Sequence, residues 1–548
     1  MFLKKPILSA GLFIPLAILW TSAAQGMSIS GMIQGEKKRG IPGAMITARD
    51  VVRGIVKTGF SNDRGQYRIS RLFPGKYEIK VNRIGFKPVE KKDLGVNEAG
   101  LSKLDFELSP TPDIAEQVSS AAWMARLPNG EMKRKFILGC AGCHQFGEVS
   151  TRKLRSKEQW KETIQRMQGI GLGRTAQVGY SLMPGIEAES MATWLAENGF
   201  GEKAPPLKIT PPPPVTGKAA QVHITEYDVG EADSSLHDAT VDKDGYAWTV
   251  DFIHDALYKV DPTSGISIKY EFPIKGSGPH TIHPDRNNIL WITLELVDMV
   301  ASFDPRTERF RLYGGFTPNA FVHSFAIDSL GYIAYDAGEN LWVSEFLNNA
   351  VARLNPKTGE VKEYPLPLTG KLPRTQAGPY GITMDSRKNV WYTKLNEGVI
   401  GKVDTRSEKI TQYKMPTDGS GPRRLSVDSR DRLWIPEFSN NKIARFDPKT
   451  ETFKEYDLPH PGDYPYALRV DGARDIVWIC GTGSDSLYRF DPETERFIQF
   501  PLPSQVAFTR QLAVDYKTGD LWTSYSNLPN GFGKYPKGVL VRLEFTDE

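Results

Sequence analysis

Leu341-Trp342-Val343-Ser344-Glu345, then Leu354-Asn355-Pro356, then Val361-Lys362-Glu363-Tyr364-Pro365-Leu366-Pro367 form one unit of short β-prone runs divided by turns. The unit repeats. Tryptophans stand at 248, 291, 342, 391, 434, 478 and 522, with spacings of 43, 51, 49, 43, 44 and 44 residues, the period of a four-stranded propeller blade. A second landmark follows most of them: Val260-Asp261-Pro262, Phe303-Asp304-Pro305, Val403-Asp404, Phe446-Asp447-Pro448 and Phe490-Asp491-Pro492. Seven blades are expected. His223-Ile224-Thr225-Glu226-Tyr227-Asp228 reads as an outer strand with no blade before it. Val539-Leu540-Val541-Arg542-Leu543-Glu544 ends a blade that lacks one. Pairing the two would close the ring and hide two sheet edges.

The residue before each inner strand reads His237, His280, His323, Tyr380, Arg423, Tyr466 and Arg510 down the repeats. Three of the chain's eight histidines thus fall at one equivalent position. The position three after each tryptophan reads Asp251, Leu294, Glu345, Lys394, Glu437, Gly481 and Tyr525. His237, His280 and His323 are the candidate catalytic groups, as base and acid, and with Glu345 the candidate ligands of a divalent metal in the channel. Tyr380, Arg423, Tyr466 and Arg510 are the candidate substrate-binding groups, because guanidinium grips a carboxylate through two donors. His223, His254, His283 and His460 read as surface or packing residues.

The repeat resembles the streptogramin (virginiamycin B) lyase-like propellers over about residues 220 to 545. Gly378-Pro379-Tyr380-Gly381-Ile382 ahead of Val390-Trp391, and Leu341-Trp342-Val343-Ser344-Glu345, carry the likeness. In those lyases the catalytic histidine lies in Pro-His-x-Ile, and magnesium-linked glutamates support an elimination that opens a cyclic depsipeptide. Pro279-His280-Thr281-Ile282 matches the histidine motif, and Trp291 follows at the expected distance. The glutamate slot is Leu294, which neither binds metal nor carries a proton. Glu295 stands beside it, and Glu345 and Glu437 are acids on other blades.

Between about Ile114 and Phe200 helical signals replace strand signals, and Cys140-Ala141-Gly142-Cys143-His144 lies among them. In Cys-x-x-Cys-His each thiol adds across a haem vinyl group while the imidazole binds the iron. A zinc set would need further Cys or His nearby, and residues 146 to 201 contain none. One covalent haem c is therefore expected, with His144 as one axial ligand of the iron. Met183 lies just before the terminal helical stretch, where class I cytochromes c place their axial methionine. Trp160 to Met167, with Gly171 beyond, resembles a subgroup of small cytochrome c domains that carry Trp-x6-Met-x-x-x-Gly. That resemblance favours Met167, with Met183 the alternative. Met191 reads as core.

From Met27 to about Pro110 short alternating strands and turns resemble the carboxypeptidase regulatory-like domain, a small transthyretin-like β-sandwich. Ile41-Pro42-Gly43-Ala44, Asn62-Asp63-Arg64-Gly65-Gln66-Tyr67 and Leu72-Phe73-Pro74-Gly75-Lys76-Tyr77 carry that likeness. The stretch contains no histidine, so it cannot build a zinc peptidase site by itself. Lys4-Lys5, an apolar run from Ile7 to Trp20, and Thr21-Ser22-Ala23-Ala24 read as a cleaved export signal. The expectation is a periplasmic or secreted protein with no integral membrane span after cleavage.

The expected fold is therefore multidomain and mainly β. A signal peptide (1–26) precedes the β-sandwich (27–110), a small α-helical cytochrome c domain (111–203), a Pro-rich linker (204–219) and the seven-bladed propeller (220–548). With 69 Lys and Arg against 65 Asp and Glu, the formal net charge is +4 over 548 residues, with no basic tract dense enough for nucleic acid. Three cysteines leave Cys480, in Ile476-Val477-Trp478-Ile479-Cys480, as a buried thiol. The expected function is periplasmic electron transfer, with a small-molecule substrate or a redox partner protein meeting the propeller. Two alternatives stand beside it: a non-enzymatic docking subunit of a larger electron-transfer assembly, and a lyase-like C–O lyase.

Overall fold

The computed structural model describes residues 27–97, 102–141, 145–148, 151–169, 185–202, 209–525 and 537–545. The expected signal peptide lies outside them. No helix among the described residues is long and apolar enough to cross a membrane.

The N-terminal unit is a β-sandwich. Strands β1 (Met27–Gln34), β2 (Met45–Asp50), β3 (Ile55–Phe60), β4 (Gln66–Leu72), β5 (Gly75–Asn82) and β6 (Val89–Val96) are followed by the short β7 (Ser102–Lys103) and β8 (Phe106–Glu107). β4, β1, β7 and β8 make one sheet, and β3, β2, β5 and β6 line up in the other. Ile29, Ile46, Tyr67, Ile69, Tyr77, Ile79 and Phe106 fill the space between them.

The middle of the chain is helical: α1 (Ser120–Met124), α2 (Glu131–Phe136) running into a wide turn over Ile137–Ala141, α3 (Lys157–Gln168) and α4 (Ala188–Leu195). Ser156 caps α3, accepting from Gln159 N while the Gln159 side chain returns to Ser156 N. Phe146 stacks between Phe136 and Phe200 at centroid distances of 5.0 and 4.6 Å. Trp160 Nε1 donates to Phe200 O at 2.8 Å, tying α3 to the end of this segment. Met191 is fully buried.

From Leu236 to Pro501 six four-stranded antiparallel sheets follow one another. Three further strands, Ala513–Val514, Leu521–Tyr525 and Gly538–Phe545, are joined by β9 (Val222–Val229). β9 pairs antiparallel with Gly538–Phe545 along its whole length, from Val222 opposite Phe545 to Val229 opposite Gly538. The first strand of each sheet touches the first strand of the next. Ala513–Val514 in turn touches Leu236–Val241, so the set closes into a propeller-like ring. The other edge of β9 is not free either. Tyr227 to Ile224 pair with Ile55 to Thr58 of β3, and one eight-stranded sheet runs from the ring into the sandwich. Arg71 and Lys57 of the sandwich reach Glu544 at 2.6 and 3.9 Å across this seam.

The repeated residues do local work that explains the repeat. Trp248, Trp342, Trp391 and Trp434 each donate an indole N–H to the aspartate six residues earlier, Asp242, Asp336, Asp385 and Asp428, at 2.8 to 3.0 Å. The same aspartates accept two backbone amides of the turn after the inner strand, as Asp385 does from Arg387 and Asn389. One carboxylate thus fixes the turn and satisfies a buried donor. The turns between third and fourth strands, four of them Asp-Pro, end on a left-handed residue: Gly265, Glu308, Gly359, Glu408, Glu451 and Glu495. Where that residue is glutamate, its carboxylate accepts from a tyrosine of the preceding sheet: Tyr270 to Glu308, Tyr364 to Glu408, Tyr413 to Glu451 and Tyr456 to Glu495.

Candidate functional site at the channel mouth

Each inner strand starts at one end of the central channel, and in four of them the pairing slips there. Register shifts fall between Leu236 and Ala239, Pro279 and Ile282, Val322 and Phe325, and Pro379 and Ile382. Such bulges re-aim side chains. The neighbouring sheet then locks them. The hydroxyls two residues after the tryptophan donate forward: Thr293 to His323 O, Ser344 to Tyr380 O, Thr393 to Arg423 O and Ser524 to His237 O.

Held this way, His237, His280 and His323 stack along one side of the mouth. Centroid distances are 3.7 Å between the first two rings and 4.3 Å between the next two, and Tyr380 follows His323 at 4.3 Å. The hydroxyls of Tyr380 and Tyr466 share a hydrogen bond. Arg423 Nη1 donates to Tyr380 at 3.2 Å, and its guanidinium lies 3.9 Å over Phe438 and 4.2 Å over Tyr466. Arg510 lies 4.4 Å over Phe508. The Nε atoms of Arg423 and Arg510 are buried with no partner.

The acid among these histidines is Glu295. Its carboxylate is 2.6 Å from His323 Nδ1 and 3.9 Å from His280 Nε2. Glu345, the acid expected there from the sequence, instead meets Asn348 at 2.6 Å, with Glu363 nearby. Leu294 packs in the core one residue before Glu295. The signal for Glu295 is present in the repeat: the position four after each tryptophan reads Phe252, Glu295, Phe346, Leu395, Phe438, Thr482 and Ser526, and Glu295 is its one acid. Arg424 is the second residue the repeat reading passed over. Its Nη1 meets both Asp238 carboxylate oxygens at 2.7 Å, and its Nη2 donates to Thr281 Oγ1 at 3.3 Å, one level below the mouth. Only the Arg423-Arg424 doublet announces it.

Burial sets the protonation here. It pushes His237 down to about 4, against the pull of Asp238. It pushes His280 and His323 well below the usual imidazole range, with neighbouring imidazoles and Arg424 adding to the effect. It drives Glu295 well above the usual carboxyl range, opposed by Arg424. The His323–Glu295 hydrogen bond therefore joins two neutral groups. Burial would also raise Asp238, but the Arg424 guanidinium and then His237 hold it below the carboxylate norm. His280 Nδ1 lies 3.1 Å from Thr281 Oγ1, 3.2 Å from His323 O and 3.4 Å from Arg424 Nη2, so its ring is held by acceptors and a donor together. Neutral imidazole, carboxylic acid and ionised Arg–Asp pair give the mouth a base, an acid and a fixed dipole.

Ligand atoms of His280, Glu295 and His323 lie within 4.8 Å of one another, and His323 Nε2 is buried without a partner. Two imidazoles, one carboxyl and an orphaned nitrogen are a donor set that suits a divalent cation. His237 adjoins this group through its ring contact with His280. His283 is buried and lines a cavity deeper in the channel rather than the surface.

The helical segment sits on this same face. Ala121 N donates to Gly483 O at 2.7 Å, and Gln505 Nε2 to Glu116 O at 3.1 Å. One continuous apolar cluster contains Phe136, Phe146 and Trp160 of the helices with Tyr380, Phe438, Tyr464, Tyr466 and Phe508 of the ring. Cys140 and Met167 are half-buried against that cluster. Cys143, His144 and Met183 lie outside the described residues. A thiol and a thioether on one wide apolar wall fit a haem edge in their chemistry. Cys480 is fully buried in the same cluster, and burial pushes its thiol up to about 12.

Sequence comparison matches residues 369–537 to the Virginiamycin B lyase family and residues 28–109 to the carboxypeptidase regulatory-like domain. Comparison with curated proteins finds no match. Among solved structures, a streptogramin B lyase is similar with a TM-score of 0.52 and 18% identity, over 60% of this chain and 100% of that one. A catalytically inactive virginiamycin B lyase from Staphylococcus aureus with quinupristin is similar with a TM-score of 0.50 and 20% identity, over 59% of this chain and 100% of that one. At these identities the likeness concerns the fold.

Proposed function

We propose that this chain is an exported c-type haem protein whose seven-bladed ring binds a small anionic molecule at the channel mouth and oxidises it. The observation that carries the reading is the seating of the Cys140 segment on the face where His237, His280, His323, Arg423 and Arg510 converge. Arg423 and Arg510 lack a carboxylate partner among the described residues, so a substrate anion would complete them. Tyr380 and Tyr466 orient it through their shared hydroxyl pair. The neutral His280 imidazole takes a proton from the bound molecule, and Glu295 and His323 hold or return one. Cys140, Cys143, His144 and Met167, with Met183 the alternative to the last, would hold the haem, which when bound supplies a one-electron acceptor. A divalent cation on His280, Glu295 and His323 would occupy that same imidazole lone pair and, in place of the His280 base, sharpen the acidity of a bound hydroxyl.

The test is maturation of the full chain in a host with haem-ligation machinery, followed by mass and reduced-minus-oxidised spectra. One porphyrin mass and a reducible band are expected, and colourless protein of unchanged mass overturns the reading. Exchange of His280 for Ala should then lower turnover with an artificial electron acceptor by about a hundred-fold or more while leaving the haem spectrum intact.

A second reading rests on Glu295. Its carboxyl beside His280 supplies the acid missing at Leu294, which favours a lyase-like C–O elimination. Ring opening by elimination leaves the mass of a depsipeptide substrate unchanged, whereas hydrolysis adds one water, so mass spectrometry separates the two.

A further inference from the structure

The far end of the channel carries polar groups that the mouth does not use. Arg469 lies three residues beyond Tyr466 on the sixth inner strand and is 5% exposed. Its Nε donates to Leu512 O at 3.2 Å, its Nη1 is buried with no partner, and no described carboxylate forms an ion pair with it. Beside it lies a cavity of about 60 Å³, walled by His283, Tyr332 and Tyr516, with Lys243 and Lys517 at its rim. A narrower space of about 30 Å³ shares Arg469 and His283 and leads inward to Arg424. Two acids also border the larger cavity, and their own turns engage both. Asp242 accepts from Asp244 N, Tyr246 N and Trp248 Nε1, and Asp515 accepts from Lys517 N.

We propose that this exit cavity binds a small oxyanion through Arg469, with His283 and Tyr516 beside it. A buried guanidinium without a counter-charge is costly, and a neutral water cannot cancel that charge. The planar fork suits two oxygens of one carboxylate or phosphate. The space admits about four to six non-hydrogen atoms by comparison with water, which limits the ligand to a formate- or phosphate-sized species. Lys243 and Lys517 add positive charge near the cavity, their ammonium groups donating to Arg286 O and Lys243 O respectively. Burial, reinforced by Arg469, holds the His283 imidazole well below its ordinary range, so it meets the anion as a neutral ring.

The experiment titrates full-length protein with sodium formate and, separately, sodium phosphate, at ionic strength held constant with chloride, and follows the thermal midpoint. A saturable rise with one of the two anions is expected, and which one responds names the source. Arg423→Gln first removes anion binding at the mouth, and in it the rise should persist. In Arg423→Gln/Arg469→Gln the rise should vanish, while the anion-free midpoint holds or increases relative to Arg423→Gln because an uncompensated buried charge is gone. Where that double variant does not fold, Arg423→Gln/Arg469→Lys decides: at least a tenfold weaker apparent affinity supports the site, and unchanged affinity overturns it. No response to either anion in Arg423→Gln, or a response that survives Arg423→Gln/Arg469→Gln, overturns it too.

Discussion

Glu437 and Glu345 show how single buried acids tie this protein's stability to pH. Burial, with Glu455 and Glu363 respectively beside them, pushes each carboxyl up to about 8. Each folded-state value lies above the ordinary 4.5, so the native chain holds a proton the unfolded chain releases. That contribution is complete below about 4.5 and is lost as pH rises towards 8. His237 acts in the opposite sense. Its value falls from 6.5 to about 4, so the native state resists a proton the unfolded state takes up, and stability declines as pH drops from about 6.5 to 4. Glu437→Gln should therefore flatten the decline on the alkaline side by up to about 1.4 kcal/mol per pH unit. Urea midpoints measured between pH 5 and 8 check this, and a slope equal to the parent's refutes it.

At the scale of elements, the Asp–Trp pair is the device on which four of the sheets are built. In Asp336→Ala the Trp342 indole N–H is left buried without an acceptor, and the turn amides of Gly338 and Asn340 lose theirs. The expected cost is about 2 to 4 kcal/mol, read by chemical denaturation. Trp291 and Trp522 already bury an unpartnered Nε1, so the same exchange of Asp285, whose carboxylate serves Tyr335 instead, should cost less. These pairs also explain what the chain discloses before folding. Strand order and the pairing of β9 with the last strand follow from local signals: a large indole, an Asp-Pro turn, an unmatched end. The mouth histidines were legible for the same reason, since they recur at one repeat position. Glu295 and Arg424 were not, because each departs from its repeat by one residue: Glu295 opens a short turn after its strand and Arg424 precedes the short strand Ser426–Val427, placements that have no composition of their own. The seam between β3 and β9 was equally silent. Backbone ladders between two ordinary alternating strands leave no mark in either.

For the whole molecule, the decisive contacts join units. Gly462 lets the helical segment approach the ring, because a Cβ there would come 2.1 Å from Ala121 O. Gly462→Val should unseat that segment while leaving the sheets folded, and protease cleavage near residues 111–125 should accelerate about tenfold or more with little change in far-ultraviolet dichroism. Unchanged cleavage would show the contact to be incidental. At the sandwich seam, Glu544 answers Lys57, Arg71 and Arg542, and its carboxyl stays below the usual range, against burial, because of them. Glu544→Gln leaves the largely enclosed Lys57 ammonium without a counter-charge, and a loss of about 1 to 3 kcal/mol is expected in thermal unfolding.

β9 is hydrogen-bonded on both edges, by a strand finished long before it and by one that ends more than three hundred residues after it. During synthesis the sandwich can therefore receive β9 at once and keep it from meeting a second, growing chain. The last strand later finds its partner already pinned in register. The N-terminal unit in this sense behaves as an intramolecular chaperone, and its worth is greatest while the ring is still open.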